Sequence, residues 1–216
     1  MLHNTFCRRL AALVLTLAVA VSAVLPVFAV YPMPIQTATE TEAVYLFNAD
    51  TGKTLLTQNA DQPRYVASLT KMMTALLLLE SGKDLNGEVT VPTDLTQEFK
   101  DIQNANGTTM GLRIGETVRR IDLLNALLIT SANDAASVIA WDVGGSLNAF
   151  IQQMNARAAE LGCTSATFTC AHGLYDYGNV SSARDLALIA SACAANETYM
   201  KVANTLSYTL PATNLH

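Results

Sequence analysis

Apolar residues recur along the chain in two rhythms. Ala43-Val44-Tyr45-Leu46-Phe47 and Thr54-Leu55-Leu56-Thr57 are short apolar runs on either side of Asn48-Ala49-Asp50-Thr51-Gly52. That layout predicts a β-hairpin, with Gly52 supplying the positive φ of the turn. From Ala67 to Glu80 the pattern becomes helical, and Met72 to Leu79 is apolar nearly all round, which predicts a helix enclosed in a core. A second helical run, Val118 to Thr130, carries Leu123, Leu124, Leu127 and Leu128 and stops at Ser131-Ala132-Asn133-Asp134. Asp134 is expected to cap the next helix, Ala135 to Val143. Leu147 to Leu161 follows, set off by Gly144-Gly145 and ended by Gly162, and Ser182 to Ala195 is a last amphipathic helix with Asp185 in its first turn. Between these, Gly82 to Glu116 is polar, with short apolar pieces at Val89-Thr90-Val91 and Met110 to Ile114, and is expected to cross one face as a long excursion. Thr167-Phe168-Thr169 reads as a short strand. Periodicity alone gives a helix-rich α+β domain without internal repeats.

The N-terminus follows a different rule. Arg8 and Arg9 precede an uncharged run from Leu10 to Leu25, and Pro26-Val27-Phe28-Ala29 places small residues at 27 and 29. This is the layout of a secretory signal peptide over 1–29, cleaved after Ala29. An uncleaved membrane anchor is the alternative, since the uncharged stretch runs on to Ile35 and reaches the ~20 residues a span needs. Either way the remainder is expected to work outside the cytoplasm, secreted or at the cell wall or outer membrane face, which leaves a membrane surface open as a partner. Residues 30–42 read as a linker and 43–216 as one domain.

Composition sharpens this only in part. The 216 residues are 50% hydrophobic and 14% charged, a globular profile. The formal charge is −5, and loss of a leader carrying two arginines and no acid takes it to −7. Nucleic acid is therefore excluded as a partner, because neutralising phosphates needs a basic face. Cys7 lies in the leader, which leaves Cys163, Cys170 and Cys193, an odd number without a C-x-x-C. With only His172 and His216 beside them, a zinc site is unsupported, and the thiols read as small buried apolar residues.

Two short motifs carry candidate chemistry. Ser68-Leu69-Thr70-Lys71 matches S-x-x-K, and on a helix an i, i+3 pair shares one face, roughly 5 to 6 Å apart at Cβ. A serine hydroxyl needs a neighbouring base, and a lysine serves when burial or a nearby cation lowers its pKa. Ser131-Ala132-Asn133 sets a hydroxyl and a carboxamide at the junction of two helical runs, although Ser146-Leu147-Asn148 fits the same pattern. No G-x-S-x-G elbow exists, and a Ser-His-Asp triad would have to run through His172.

Taken together, Ala67-Ser68-Leu69-Thr70-Lys71-Met72-Met73-Thr74-Ala75, then Leu127 to Ala136 around Ser131-Ala132-Asn133, then His172-Gly173-Leu174 and Ser181-Ser182-Ala183-Arg184-Asp185-Leu186-Ala187 make the chain resemble the serine-type D-alanyl-D-alanine carboxypeptidases, the low-molecular-mass penicillin-binding proteins of peptidase family S11. The resemblance covers about residues 43 to 216. It implies a β-lactamase/transpeptidase-like α/β (α+β) fold, an antiparallel sheet covered by helices plus an all-helical lobe. It further implies that Ser68 attacks the carbonyl between two terminal D-alanines of a peptidoglycan stem peptide and forms an acyl-enzyme. Lys71 would be the base, Ser131 would pass a proton to the leaving amine, and Asn133 would bind the peptide backbone of the substrate. The Ser68 backbone N–H would be half of an oxyanion hole, and β-lactam antibiotics would be covalent inhibitors. His172 lies in a family block but is expected to be structural. No cofactor and no metal are implied.

The family's third motif, Lys-Thr-Gly or Lys-Ser-Gly, is missing; the nearest string, Gly52-Lys53-Thr54, is in the wrong order and place. The 216 residues are accordingly expected to be cut short inside the catalytic domain, with further strands of the sheet beyond His216, and to be inactive or barely active alone. A serine β-lactamase is one alternative, although no E-x-x-L-N-type element follows Ser131, and a non-catalytic cell-wall-binding remnant is another.

Overall fold

The computed structural model describes residues 41–174 and 177–216; the leader, and the linker up to residue 40, lie outside the described residues. The hairpin forms where the apolar runs place it. β1 (Val44–Phe47) lies antiparallel to β2 (Thr54–Gln58), with Tyr45 opposite Thr57 and Leu46 opposite Leu56. Asn48 makes the turn: its side-chain oxygen accepts from the Thr51 N–H at 2.9 Å, its carbonyl accepts from the Gly52 N–H at 2.8 Å, and Gly52 takes φ +68°. Two further antiparallel pairs, β3 (Arg64–Tyr65) with β6 (Val180–Ser181) and β4 (Glu88–Thr90) with β5 (Thr117–Arg119), tie distant segments together.

The helices are α1 (Lys71–Glu80), α2 (Thr96–Asn104), α3 (Arg120–Ile129), α4 (Asn133–Gly144), α5 (Leu147–Glu160), α6 (Ala183–Ala194) and α7 (Glu197–Ala203). The helix that is apolar all round is the central one: α1 packs against α3, α4, α5, α6 and α7. Its Met73, Ala75, Leu76 and Leu78 are enclosed, and each such large side chain contributes ~1.5–3 kcal/mol by leaving water. α6 also packs on β1, so one helix of the cluster covers the antiparallel hairpin, the α/β layering expected.

Several elements differ from expectation. Ser68 is not on an α-helix: Ala67–Thr70 form a 3-10 turn and α1 begins at Lys71, because Ala67 sits at φ +45°, outside the helical region. Asp134 does not cap α4. It lies one residue inside, and its carboxylate accepts the N–H groups of Met110, Gly111 and Leu112 at 2.9–3.0 Å, pinning that loop. The polar stretch 82–116 contains α2, which turns Phe99 and the fully buried Ile102 inward. Val118 belongs to β5, so the second helix starts only at Arg120. Thr167 makes one bridge to Val180 rather than a strand, and α7 falls in a stretch assigned no element from sequence. α6 begins as expected, with Ser182 accepting the Asp185 N–H at 3.1 Å. The three described cysteines are free, and burial pushes Cys163 up to about 11 and Cys193 up to about 12, which keeps both thiols protonated and inert at neutral pH.

Candidate active site

Both motifs converge on one point. The chain enters through β3, passes the left-handed Ala67, and presents the Ser68 hydroxyl on an exposed residue. One turn on, Lys71 is 3% exposed, and its Nζ is 3.2 Å from Ser68 Oγ, 2.8 Å from Asn133 Oδ1 and 2.6 Å from the His172 carbonyl oxygen. Ser131 Oγ lies 3.0 Å from Ser68 Oγ. The structure thus brings Ser68, Lys71, Ser131 and Asn133 into one hydrogen-bonded group; the backbone of His172 joins it, but its ring does not.

Local rules explain each placement. Ser131 occupies the break between α3 and α4 at φ +59°, which turns its hydroxyl back toward Ser68. The break is held by the Ala132 N–H on the Ala126 carbonyl and the Asn133 N–H on the Thr108 carbonyl. Asn133 is engaged at both ends of its carboxamide, since Oδ1 accepts from Lys71 and Nδ2 donates to the Thr108 carbonyl at 2.9 Å. Any hydrogen bond to a substrate would use its second Nδ2–H.

One face of the Ser68–Thr74 segment is laced to the loop around His172 by polar side chains that sequence reasoning passed over. Thr74 Oγ1 donates to the Ala171 carbonyl at 2.6 Å, Lys71 donates to the His172 carbonyl, and Thr70 Oγ1 accepts from Asn179 Nδ2 at 2.8 Å. Thr70 in the 3-10 turn and Thr74 in α1 are buried hydroxyls in an otherwise largely apolar run, and that interruption is the signal that could have marked them. Gly173, at φ +79°, completes the seam. A Cβ there would overlap the Ala67 carbonyl and stand 2.8 Å from Thr70 Oγ1.

The electrostatics decide what the group can do. Burial pushes the Lys71 pKa down to about 8, against the nearby Cys170, which raises it. As an ammonium, Lys71 donates all three hydrogens to its three neighbours. As an amine it has two hydrogens and one lone pair; the two shorter contacts, to carbonyl oxygens that only accept, keep the hydrogens, and the lone pair faces Ser68 Oγ. A chain then runs from the Ser131 O–H to the Ser68 oxygen and from the Ser68 O–H to the Lys71 nitrogen.

His172 is occupied elsewhere. Its Nε2 lies 3.0 Å from Glu98 Oε1, and Nδ1 receives the Leu174 N–H at 3.0 Å. Burial disfavours charge on this ring, hydrogen bonds to Cys170 and Glu98 favour it and push its pKa up to about 9, yet the Leu174 N–H needs a lone pair on Nδ1. We assign the neutral ring with its proton on Nε2, because a backbone N–H fixed in its loop cannot turn away. Among the described residues no group of three or more His, Cys, Asp or Glu side chains gathers as a metal site, and no helix is long and apolar enough to cross a membrane.

Ser68, Lys71, Ser131 and Asn133 thus meet where the 3-10 turn before α1 faces the break between α3 and α4. The chain belongs to the D-alanyl-D-alanine carboxypeptidase family, peptidase S11, whose model matches residues 31–213. Among curated relatives it is 32% identical over 168 residues to the D-alanyl-D-alanine carboxypeptidase DacF of Bacillus subtilis, covering 78% of this chain and 42% of that protein. Among solved structures it is similar to the DD-transpeptidase of Streptomyces K15, with a TM-score of 0.67 and 34% identity over 74% of this chain and 63% of that one. It is also similar to a D-alanyl-D-alanine carboxypeptidase from Mycobacterium tuberculosis, with a TM-score of 0.69 and 30% identity over 78% of this chain and 61% of that one. The chain spans about half the length of the curated relatives it matches.

Proposed function

We propose that this chain carries the acylating group of a serine-type D-alanyl-D-alanine carboxypeptidase, which trims the terminal D-alanine from peptidoglycan stem peptides outside the cytoplasm. The observation that carries the reading is the Lys71 amine, buried, with a depressed pKa, and held so that its one free lone pair faces Ser68 Oγ. The Ser68 hydroxyl gives its proton to Lys71 as its oxygen bonds to the substrate carbonyl carbon. The leaving D-alanine amine takes a proton as the peptide bond breaks, and Ser131, 3.0 Å from Ser68 Oγ, is placed to pass it. Water then hydrolyses the acyl ester. Asn133 binds the substrate backbone through its remaining Nδ2–H. Family membership supports this reading over a β-lactamase or a non-catalytic remnant.

Benzylpenicillin, whose reactive amide mimics the D-Ala-D-Ala terminus, tests it. The purified chain is expected to gain the mass of one opened penicillin, persistently, and Ser68→Ala is expected to gain none. A folded chain that takes no adduct overturns the reading, and an adduct that hydrolyses rapidly reassigns the chain to the β-lactamases.

A further inference from the structure

The elements that carry the two Lys71 acceptors meet at one carboxylate. Lys71 is fixed by Asn133 Oδ1, on the first residue of α4, and by the His172 carbonyl, on the loop before β6. Glu98 of α2 reaches the neighbours of both supports, Ser137 on α4 and the His172 ring, with the same oxygen. Its Oε1 accepts from Ser137 Oγ at 2.9 Å, one turn along α4 from Asn133, and from the His172 ring at 3.0 Å. Ser137 Oγ also lies 3.3 Å from the Asn133 carbonyl oxygen. The far side of this arrangement is not packed solid. Glu98, His172 and Cys170 line a cavity of about 360 Å³ with Ile102, Leu147 and Ile151. On this side the ring is held by hydrogen bonds with Glu98, Cys170 and the Leu174 N–H.

We propose that Glu98 is a positioning residue for the proposed acylation, holding Asn133 and His172 at the spacing that leaves the Lys71 lone pair on Ser68. It touches neither substrate nor Ser68. The inference rests on the acylation reading only for its kinetic consequence; the geometric claim about Lys71 stands without it. Two supports from separate elements share one anchor, and a displacement of about 1 Å at a reacting group costs on the order of 10²-fold in rate. The hydrogen bond from His172 lowers the pKa of Glu98, so the anchor is a carboxylate at neutral pH. The titratable groups that gather here are Glu98 from α2, His172 and Cys170 from the loop, and Lys71 itself.

The test compares Glu98→Ala with Glu98→Gln in the full 216-residue chain, with two readouts. In acylation by benzylpenicillin, Glu98→Ala is expected to lower the maximal rate about tenfold or more with the half-saturating concentration unchanged, and Glu98→Gln, whose amide oxygen still accepts, to remain within about threefold of the parent. A folded Glu98→Ala at the parental rate, or a Glu98→Gln as slow as Glu98→Ala, overturns the proposal. The second readout needs no acylation: NMR titration of the Lys71 ε-amine is expected to show its midpoint falling further in Glu98→Ala, which loosens the two acceptors that stabilise the ammonium, than in Glu98→Gln, which loses only the same charge. A chain that takes no penicillin but shows this shift contradicts the acylation reading and keeps the positioning role, whereas an unmoved midpoint overturns the role. If Glu98→Ala does not fold, Ser137→Ala, which cuts one link only, is expected to shift the midpoint the same way by less, and no shift counts against the proposal.

Discussion

The two serines of the site are built by opposite means. Ser68 follows a left-handed residue, Ala67 at φ +45°, whereas Ser131 is itself the left-handed residue, at φ +59°. Ser68 finds its partner locally, three residues on, yet the turn that presents it is buttressed from across the molecule by Gly173 and the seam of Thr70, Lys71 and Thr74. Ser131 has the reverse dependence. Its backbone is fixed near its own helix junction, by the Ala126 and Thr108 carbonyls, while the groups it serves lie more than sixty residues away. A nucleophile with a local base needs a distant brace, and a proton-passing hydroxyl with a local brace needs distant partners.

The largest way to break this contrast is at the brace. In Gly173→Ala the new methyl group would overlap the Ala67 carbonyl, at a φ that side chains rarely adopt. The loss of stability is expected to exceed about 3 kcal/mol, with acylation abolished, because the loop can yield only by dragging the His172 carbonyl off Lys71. Thermal denaturation and intact mass after benzylpenicillin check it; a variant with parental stability would mean that the Ala67 turn stands without the loop.

Next in size is the base. Below pH 8 Lys71 is an ammonium with every hydrogen donated and no lone pair, so acylation is expected to rise about tenfold per pH unit up to about 8 and then level off. Lys71→Met is expected to lower the rate by about 10²–10⁴ and to flatten that limb. The same group makes a stability prediction. Its folded pKa lies below its unfolded one, so between about 8 and 10.5 the unfolded chain binds more protons and stability is expected to rise with pH, by about 3 kcal/mol across the window. Lys71→Met removes this dependence, which denaturant melts at pH 7 and pH 10 would show.

The same contrast explains what could be read in the sequence. Ser68 and Lys71 were legible because their relation is local, and Ser131 with Asn133 because the helical pattern breaks there. The central helix was legible because α1 must be apolar on every side to lie among five others. The 3-10 start was not, because nothing in the local pattern marks Ala67 as left-handed, and the loop at Gly173 that closes on its carbonyl is more than a hundred residues on. Asp134 misled because it stands inside the helix rather than before it, and its carboxylate gathers the N–H groups of Met110 to Leu112 as well as that of Ala135 in the first turn. α2 was hidden by a polar composition around a single deeply buried residue, Ile102, and with it went Glu98.

The smallest effect separates strain from chemistry at Ser131. A non-glycine residue in the left-handed region costs on the order of 1 kcal/mol, which glycine avoids. Ser131→Ala and Ser131→Gly both remove the hydroxyl that lies 3.0 Å from Ser68 Oγ, so both are expected to slow release of the leaving amine to the same degree. They should differ in stability, Ser131→Gly melting above Ser131→Ala by the equivalent of about 1 kcal/mol, because only glycine relieves φ +59°. The matched change at the other serine, Ala67→Gly, is expected to relieve the same strain with the Ser68 hydroxyl intact, and so to raise the melting temperature without lowering acylation. If Ala67→Gly instead slows acylation, the left-handed alanine does more than permit the turn: it restricts Ser68 to the one orientation that faces Lys71, and the nucleophile would prove to depend on its own backbone as closely as Ser131 does.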